Sequence, residues 1–200
     1  MSTHAPSLFR NTFVIPADRR RHITAARRSE AKHLQDISLA GFVRKMWPVL
    51  EPDEEFKDNW HIDYICAHLE AVSRGEIKRL IINIAPRHMK SLLVSVMWPC
   101  WEWGHYPGKR WIFASYVDDV ANKLSEDRRT LLTSEEYQKQ FPGVVQLMPG
   151  QNAKSRFTNT RRGTMTAASF GGRITGLGAH RIVVDDPTSP KEADSLAERT

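Results

Sequence analysis

The chain has 200 residues, of which 40% are hydrophobic and 26% are charged, and its formal net charge is +6. This balance excludes an intrinsically disordered chain, and the longest apolar stretch, from Leu92 to Trp103, is too short and too interrupted to cross a bilayer. The excess of positive charge favours a polyanionic partner such as nucleic acid.

Residues 1–36 form a distinct basic segment with seven basic and three acidic side chains. The part from Asp18 to His33 is rich in helix-forming residues but has little apolar face. It predicts either a solvated helix or a basic arm that contacts DNA phosphates or a partner protein. We expect residues 37–200 to form a separate domain.

Two amphipathic helices are predicted in the first part of this domain. One covers Ile37–Leu50, with apolar side chains at helical spacing and Pro48 near its end. The other covers residues 59–75 and stops at a glycine. Cys66 in the second helix and Cys100 in a later apolar stretch are expected to be reduced core residues, not a disulfide or a metal site.

The stretch Leu80–Val94 combines a strand, a tight loop and the start of a helix. The apolar run Leu80–Ile84 predicts a buried strand, and Lys90 and Ser91 open a helix a few residues later. In a phosphate-binding loop of this layout, backbone N–H groups and the helix N-terminus bind an anion, the lysine contacts the β- and γ-phosphates, and the serine ligates Mg²⁺.

This loop departs from the usual pattern at two positions. Met89 and Ile84 stand where a phosphate-binding loop usually has glycine. The alternative interpretation is an ordinary strand-to-helix turn with an exposed lysine. A second, independent element is needed to decide between the two.

Strands and helices alternate in the sequence after the loop helix. A buried strand is predicted at Arg110–Tyr116, followed by a helix that Asp118 or Asp119 caps and by a short helix from Ser134. Pro149–Asn152 is predicted to be a loop. This alternation predicts a mostly parallel sheet covered by helices. Three further segments follow: alternating sequence at 155–158 and 164–169, and a glycine-rich connection at 171–178.

The second element is a strand that ends in two carboxylates. Three β-branched residues, from Ile182 to Val184, lead directly into Asp185 and Asp186. In nucleotide-hydrolysing proteins with a phosphate-binding loop, a neighbouring strand delivers an aspartate to the Mg²⁺ shell, and a following acid can polarise the attacking water. A simple turn at the end of a strand is the alternative. Both elements occur in the required order, so together they predict nucleotide hydrolysis.

The chain resembles the ATPase half of large terminase subunits, the genome-packaging motors of tailed bacteriophages and prophages. The resemblance spreads over residues 60–187 and implies a P-loop NTPase fold of the RecA/ASCE type, with Mg²⁺ and ATP as cofactors. Phosphate loops without the usual glycines occur in this family, so Met89 fits it. The matching segments are Trp60–Ile62, Leu80–Ser91, Trp98–Pro99 with Trp101–Gly104, Arg110–Tyr116, Gln151–Asn152 with Arg156–Phe157 and Asn159–Thr160, and Thr175–Pro187.

The resemblance implies specific roles for the loop and for the two aspartates. Lys90 would contact the β- and γ-phosphates, and Ser91 and Asp185 would hold Mg²⁺. Asp186 would stand at the position of the catalytic carboxylate, which is more often glutamate in the family. Arg87 would lie beside the phosphates and stabilise the transferring charge.

Further residues are implied to bind the nucleotide or to act between subunits. Trp60 and His61 would contact the adenine, and the loop backbone would surround the phosphates through Pro86, Arg87, His88 and Met89. Arg173 is a candidate for a finger that reaches a neighbouring subunit's nucleotide. The weaker finger candidates are Arg128, Arg129 and Arg162.

The implied partners are double-stranded DNA, a small terminase subunit, the portal and procapsid, and further copies of the chain in a ring, all in the cytoplasm of a bacterial host and without a membrane. Because the chain ends soon after Asp186, we expect the ATPase domain to be incomplete after this strand, without a nuclease domain. Two alternatives stay open: a remnant that binds nucleotide without turnover, and another P-loop DNA translocase or helicase.

Overall fold

The computed structural model describes residues 37–115, 117–153, 155–169 and 178–186. The basic segment 1–36, Tyr116 and Arg173 lie outside the described residues. The helices are α1 (Leu39–Leu50), α2 (Trp60–Ser73), a π-helical segment (Leu92–Met97), α3 (Trp98–His105), α4 (Asp118–Thr133) and α5 (Glu135–Gln140). The strands are β1 (Arg110–Ser115), β2 (Leu147–Ala153), β3 (Arg156–Asn159), β4 (Thr164–Ser169) and β5 (Arg181–Asp185).

The five strands form one sheet in the order β2-β3-β4-β1-β5. β1 is parallel to β4 and to β5, whereas β2–β3 and β3–β4 are antiparallel. An α/β fold is therefore confirmed, but the prediction of a mostly parallel sheet is corrected to a mixed one. The connections within β2–β3–β4 are only a few residues long, and parallel pairing requires a much longer crossover.

The predicted strand Leu80–Ile84 is wrong, because residues 77–85 carry no helix or strand assignment. The run is apolar as expected, but Ile81 is 86% exposed. A strand needs a hydrogen-bonded neighbour, and the described strands offer none to this segment.

Two other local predictions are also wrong. Pro149 and Gly150 lie inside β2 and not in a loop. β2 is at the edge of the sheet, where a proline is tolerated, and the register shifts between Leu147 and Asn152. The residue that caps α4 is Val117, which offers no side-chain acceptor, and not one of the two aspartates after it.

The helices pack on one face of the sheet, and tryptophans fill the space between. Trp111 of β1 meets the edge of Trp98 at a ring-centroid distance of 4.8 Å and stacks on Phe113 at 5.6 Å. Cys66 and Cys100 are free and buried, as predicted. Burial raises the pKa of the Cys66 thiol to about 12.

A buried ion pair fixes the start of β5 against the helices. Glu102 of α3 is fully buried, and its Oε1 accepts hydrogen bonds from Arg181 Nη2 at 2.8 Å and from Nε at 3.1 Å. Arg181 Nη2 also donates to the carbonyl of Ser73 at the end of α2. The strand that ends in Asp185 is therefore anchored at its first residue. Within the described residues, no helix has the length and apolar character needed to cross a bilayer.

Candidate nucleotide-binding site

Lys90 brings the loop and the end of β5 together. Its Nζ lies 2.5 Å from Asp186 Oδ1 and 3.4 Å from Asp185 Oδ1. Partial burial disfavours the charged ammonium, but the hydrogen bond to Asp186 and the field of Asp185 outweigh it and raise the pKa of Lys90. Two elements more than 90 residues apart in sequence thus meet through one cation.

The alternation of β5 explains why only one of the two carboxylates is buried. Val183 and Asp185 face the helices, whereas Ile182 and Val184 point the other way and are 67% and 52% exposed. Asp185 lies opposite Ser115 of β1 in the parallel register. Its Oδ2 is buried and has no hydrogen-bond partner among the described residues.

Backbone strain is concentrated at this site. Only four non-glycine residues of the described chain have positive φ, and three of them are Arg87 (65°), Met89 (62°) and Asp186 (45°). Such strain persists where the surrounding structure holds it, and it clusters at functional sites. Met89 adopts the left-handed conformation that the usual glycine would supply at this position.

We expect Met89→Gly to stabilise the fold by up to about 1 kcal/mol, because glycine pays no steric penalty at positive φ. Met89→Val should destabilise it, because a β-branched residue is a genuine outlier in this conformation. Urea denaturation measures both effects. Lys123→Gly in the exposed part of α4 is the control and should cost roughly 0.5–1 kcal/mol. If Met89→Gly loses as much stability as the control, the prediction that the backbone at Met89 is strained is wrong.

Side-chain and main-chain hydrogen bonds hold the loop. The Nδ1 of His88 lies 2.9 Å from the carbonyl oxygen of Pro86 and 3.1 Å from that of Ala85, so this nitrogen carries the proton. The Leu93 N–H donates to the Met89 carbonyl at 2.8 Å, which closes the first helical turn. Arg87 is exposed in the middle of the loop, and Ser91 is half-buried where the helix starts.

The helix predicted after the loop is present, but its first part is π-helical and not α-helical. Pro99 follows in the first turn of α3. In an α-helix its nitrogen would donate to the carbonyl of Ser95, but proline has no N–H, so this carbonyl lacks that donor. π-helical turns are frequent at functional sites.

A cavity of about 510 Å³ lies between α2 and the extended segment 80–84. Trp60 and His61 line it, and the centroid of the His61 ring lies 5.5 Å from that of the loop residue His88. Tyr64 and His68 also line it and were missed, although they follow Trp60 at helical four-residue spacing. Trp60 is 75% exposed, so its face is open to a flat ligand.

The candidate arginine fingers are not gathered at Lys90. Arg173 lies outside the described residues. Arg162 is exposed in the β3–β4 turn, and Arg129 is half-buried on α4. Arg128 is only 1% exposed, so it cannot reach a neighbouring subunit, and its interpretation as a finger is wrong.

Comparisons of this chain with protein families, with curated proteins and with solved structures gave no match.

Proposed function

We propose that this chain binds and hydrolyses ATP with Mg²⁺, as the ATPase part of a phage terminase large subunit that moves double-stranded DNA into a procapsid. One observation carries the proposal: the Lys90 ammonium, directly after a strained loop, contacts the two carboxylates that end β5. An ammonium group suited to bind phosphate therefore contacts two carboxylates whose oxygens are suited to bind a hard metal ion.

The proposed roles follow from the chemistry of each group. Lys90 binds the β- and γ-phosphates, and the backbone from Pro86 to Met89 surrounds them. Arg87, exposed in the same loop, stabilises the charge of the transferring phosphoryl group. Asp186, with an exposed carboxylate, orients and deprotonates the attacking water. Trp60 and His61 bind the base in the cavity beside the loop.

The residues present fit a magnesium ion. Asp185 keeps a buried oxygen without a partner among the described residues, and carboxylate oxygens are preferred ligands of Mg²⁺. Ser91 supplies a hydroxyl at the start of the helix. A bound Mg²⁺ would neutralise charge on the phosphate oxygens. The remaining ligands are expected to be waters and phosphate oxygens.

The wider assignment rests on the sequence resemblance to terminases. It includes a homo-oligomeric ring, a small terminase subunit, the portal, DNA, and the cytoplasm of a bacterial host. The net charge of +6 is consistent with a DNA partner. DNA-stimulated ATP hydrolysis would distinguish a packaging or helicase motor from an ATPase of another kind.

A second candidate function is nucleotide binding without turnover. The observation that favours it is the segment Leu80–Ala85, which leads into the loop and pairs with no strand among the described residues. Catalysis requires reacting groups held to within about 1 Å, whereas binding tolerates more motion. Binding of Mg-ATP with no release of phosphate would support this candidate.

We expect Asp185→Asn to remove the magnesium dependence of nucleotide binding. The parent chain should bind ATPγS at least about tenfold more tightly with Mg²⁺ than with EDTA, and the variant should show nearly equal affinity in both. Isothermal titration calorimetry measures the two constants. Asp119→Asn on the exposed start of α4 is the control and should behave like the parent. A variant that keeps the full magnesium effect would contradict the metal assignment, and a parent that binds no nucleotide would contradict the proposed function.

A further inference from the structure

Arg128 of α4 is a buried cation without a carboxylate partner among the described residues. It is 1% exposed, and its Nη1 donates to the carbonyl oxygen of Ser95 at 2.6 Å. Its guanidinium carbon lies 3.8 Å from the centroid of the Phe113 ring. Burial lowers the pKa of Arg128 to about 10, so it stays charged at neutral pH. A buried charge held in this way is costly for stability alone, since an apolar residue of similar size often serves as well.

The carbonyl that Arg128 binds is one that the helix leaves without its α-helical donor. Ser95 lies four residues before Pro99, which has no N–H to offer. Arg128 supplies the missing hydrogen bond from a different helix. It thereby fixes the π-helical segment against α4 and β1.

The segment fixed in this way begins immediately after Lys90 and Ser91. On its other side, Arg128 touches Phe113, which lies opposite Val183 of β5 in the parallel register. Val183 is two residues before Asp185 and faces the same side of the sheet. Arg128 therefore contacts both the helix that carries the phosphate-binding lysine and the strand next to the one that carries the metal-binding aspartate.

We propose that Arg128 is a positioning residue for this site: by donating to the Ser95 carbonyl, it holds Lys90 and Ser91 in register with Asp185. The effect on nucleotide binding rests on the proposed function. The fixing of the helical segment by Arg128 does not. Two of its guanidinium nitrogens, Nε and Nη2, have no partner among the described residues. The Ser95 contact is thus the main directional constraint on the side chain.

The test compares Arg128→Met, which removes the donor but keeps the bulk, with Arg128→Lys, which keeps a cation and a donor. Hydrogen exchange of residues 92–98 measures how firmly the hydrogen bond from Arg128 to the Ser95 carbonyl (the clamp) holds this segment. Binding of ATPγS with Mg²⁺ and with EDTA measures the effect of the clamp on the site. In Arg128→Met we expect faster exchange in this segment and a magnesium effect on binding reduced by about tenfold, the size of one charge-assisted hydrogen bond. Arg128→Lys should recover part of both. Lys123→Met, which removes an exposed charge of α4, should leave both readouts within about twofold of the parent.

Pro99→Ala gives a second test, in a background where the main chain can donate to the Ser95 carbonyl. It restores an N–H for the Ser95 carbonyl, so in this background the loss of Arg128 should change the exchange of residues 92–98 by less than about twofold. An equal effect of Arg128→Met with and without Pro99 would overturn the clamp. Faster exchange with an unchanged magnesium effect would overturn the positioning role. A parent chain that binds no nucleotide would instead overturn the proposed function, while exchange would still decide on the clamp.

Discussion

Lys90→Ala is expected to abolish ATP hydrolysis and to weaken Mg-ATP binding by roughly 10- to 150-fold. The physical reason is the loss of a charge-assisted hydrogen bond to phosphate, which is worth about 1.5–3 kcal/mol. The same substitution leaves Asp185, which is mostly buried, and Asp186 without the cation that lies between them. Calorimetric titration with ATPγS and a phosphate-release assay measure the two effects.

Two further variants separate the loss of binding from a loss of folding. Lys90→Arg keeps the positive charge beside the carboxylates, so it should melt close to the parent yet bind nucleotide more weakly, because a planar guanidinium does not replace a compact ammonium. Lys139→Ala removes an exposed lysine that pairs with Glu135 on α5 and should leave nucleotide binding unchanged. If Lys90→Ala turns over ATP as fast as the parent, the site assignment is wrong.

Arg181→Met is expected to destabilise the fold by about 3–5 kcal/mol, because it leaves the buried carboxylate of Glu102 without its partner. Burial raises the pKa of Glu102 and Arg181 opposes that rise, so without Arg181 the pKa is higher still. An acid whose pKa is higher in the folded state than in the unfolded state loses stability as the pH rises between the two values. The stability lost in Arg181→Met should therefore become smaller as the pH is lowered toward 4.5, the usual pKa of a glutamate side chain.

Chemical denaturation at several pH values measures this effect. The double variant Arg181→Met with Glu102→Met removes both charges and should recover most of the stability, since a buried pair is often replaced by apolar residues at little cost. Arg44→Met is a matched control on the surface. Arg44 pairs with Asp58 and Asp63 at 2.7 Å and 2.9 Å, yet solvent screens these contacts, so its loss should be far smaller. Equal losses for Arg44→Met and Arg181→Met would contradict the role of burial.

Local sequence patterns were sufficient for most of the regular elements. Apolar periodicity gave the helices α1 and α2, and Ser134 caps α5 by accepting from the Tyr137 N–H at 3.2 Å. The β-branched run before Asp185 gave β5. These features depend on neighbours within a few residues, which a sequence displays directly.

Segments whose conformation depends on a distant partner are the ones for which the sequence-based predictions are wrong. Leu80–Ile84 is apolar enough for a strand, but whether it pairs is decided by what lies beside it. The turn-forming residues Pro149 and Gly150 predict a loop, whereas the edge position of β2 accommodates the proline. The π-helical segment was not predicted, because a proline alone does not signal one: Pro48 lies inside α1, which stays α-helical.

The sequence by itself determined the chemistry that is available to this protein: a lysine and a serine at the start of a helix, and two aspartates at the end of a strand. Only the tertiary structure decided that Lys90 contacts both aspartates, and that Arg128 is buried against Ser95 and not exposed as a finger. The reason is physical. Residue type and spacing set local conformation and charge, whereas contacts between residues 33 or 96 positions apart depend on the packing of the helices on the sheet.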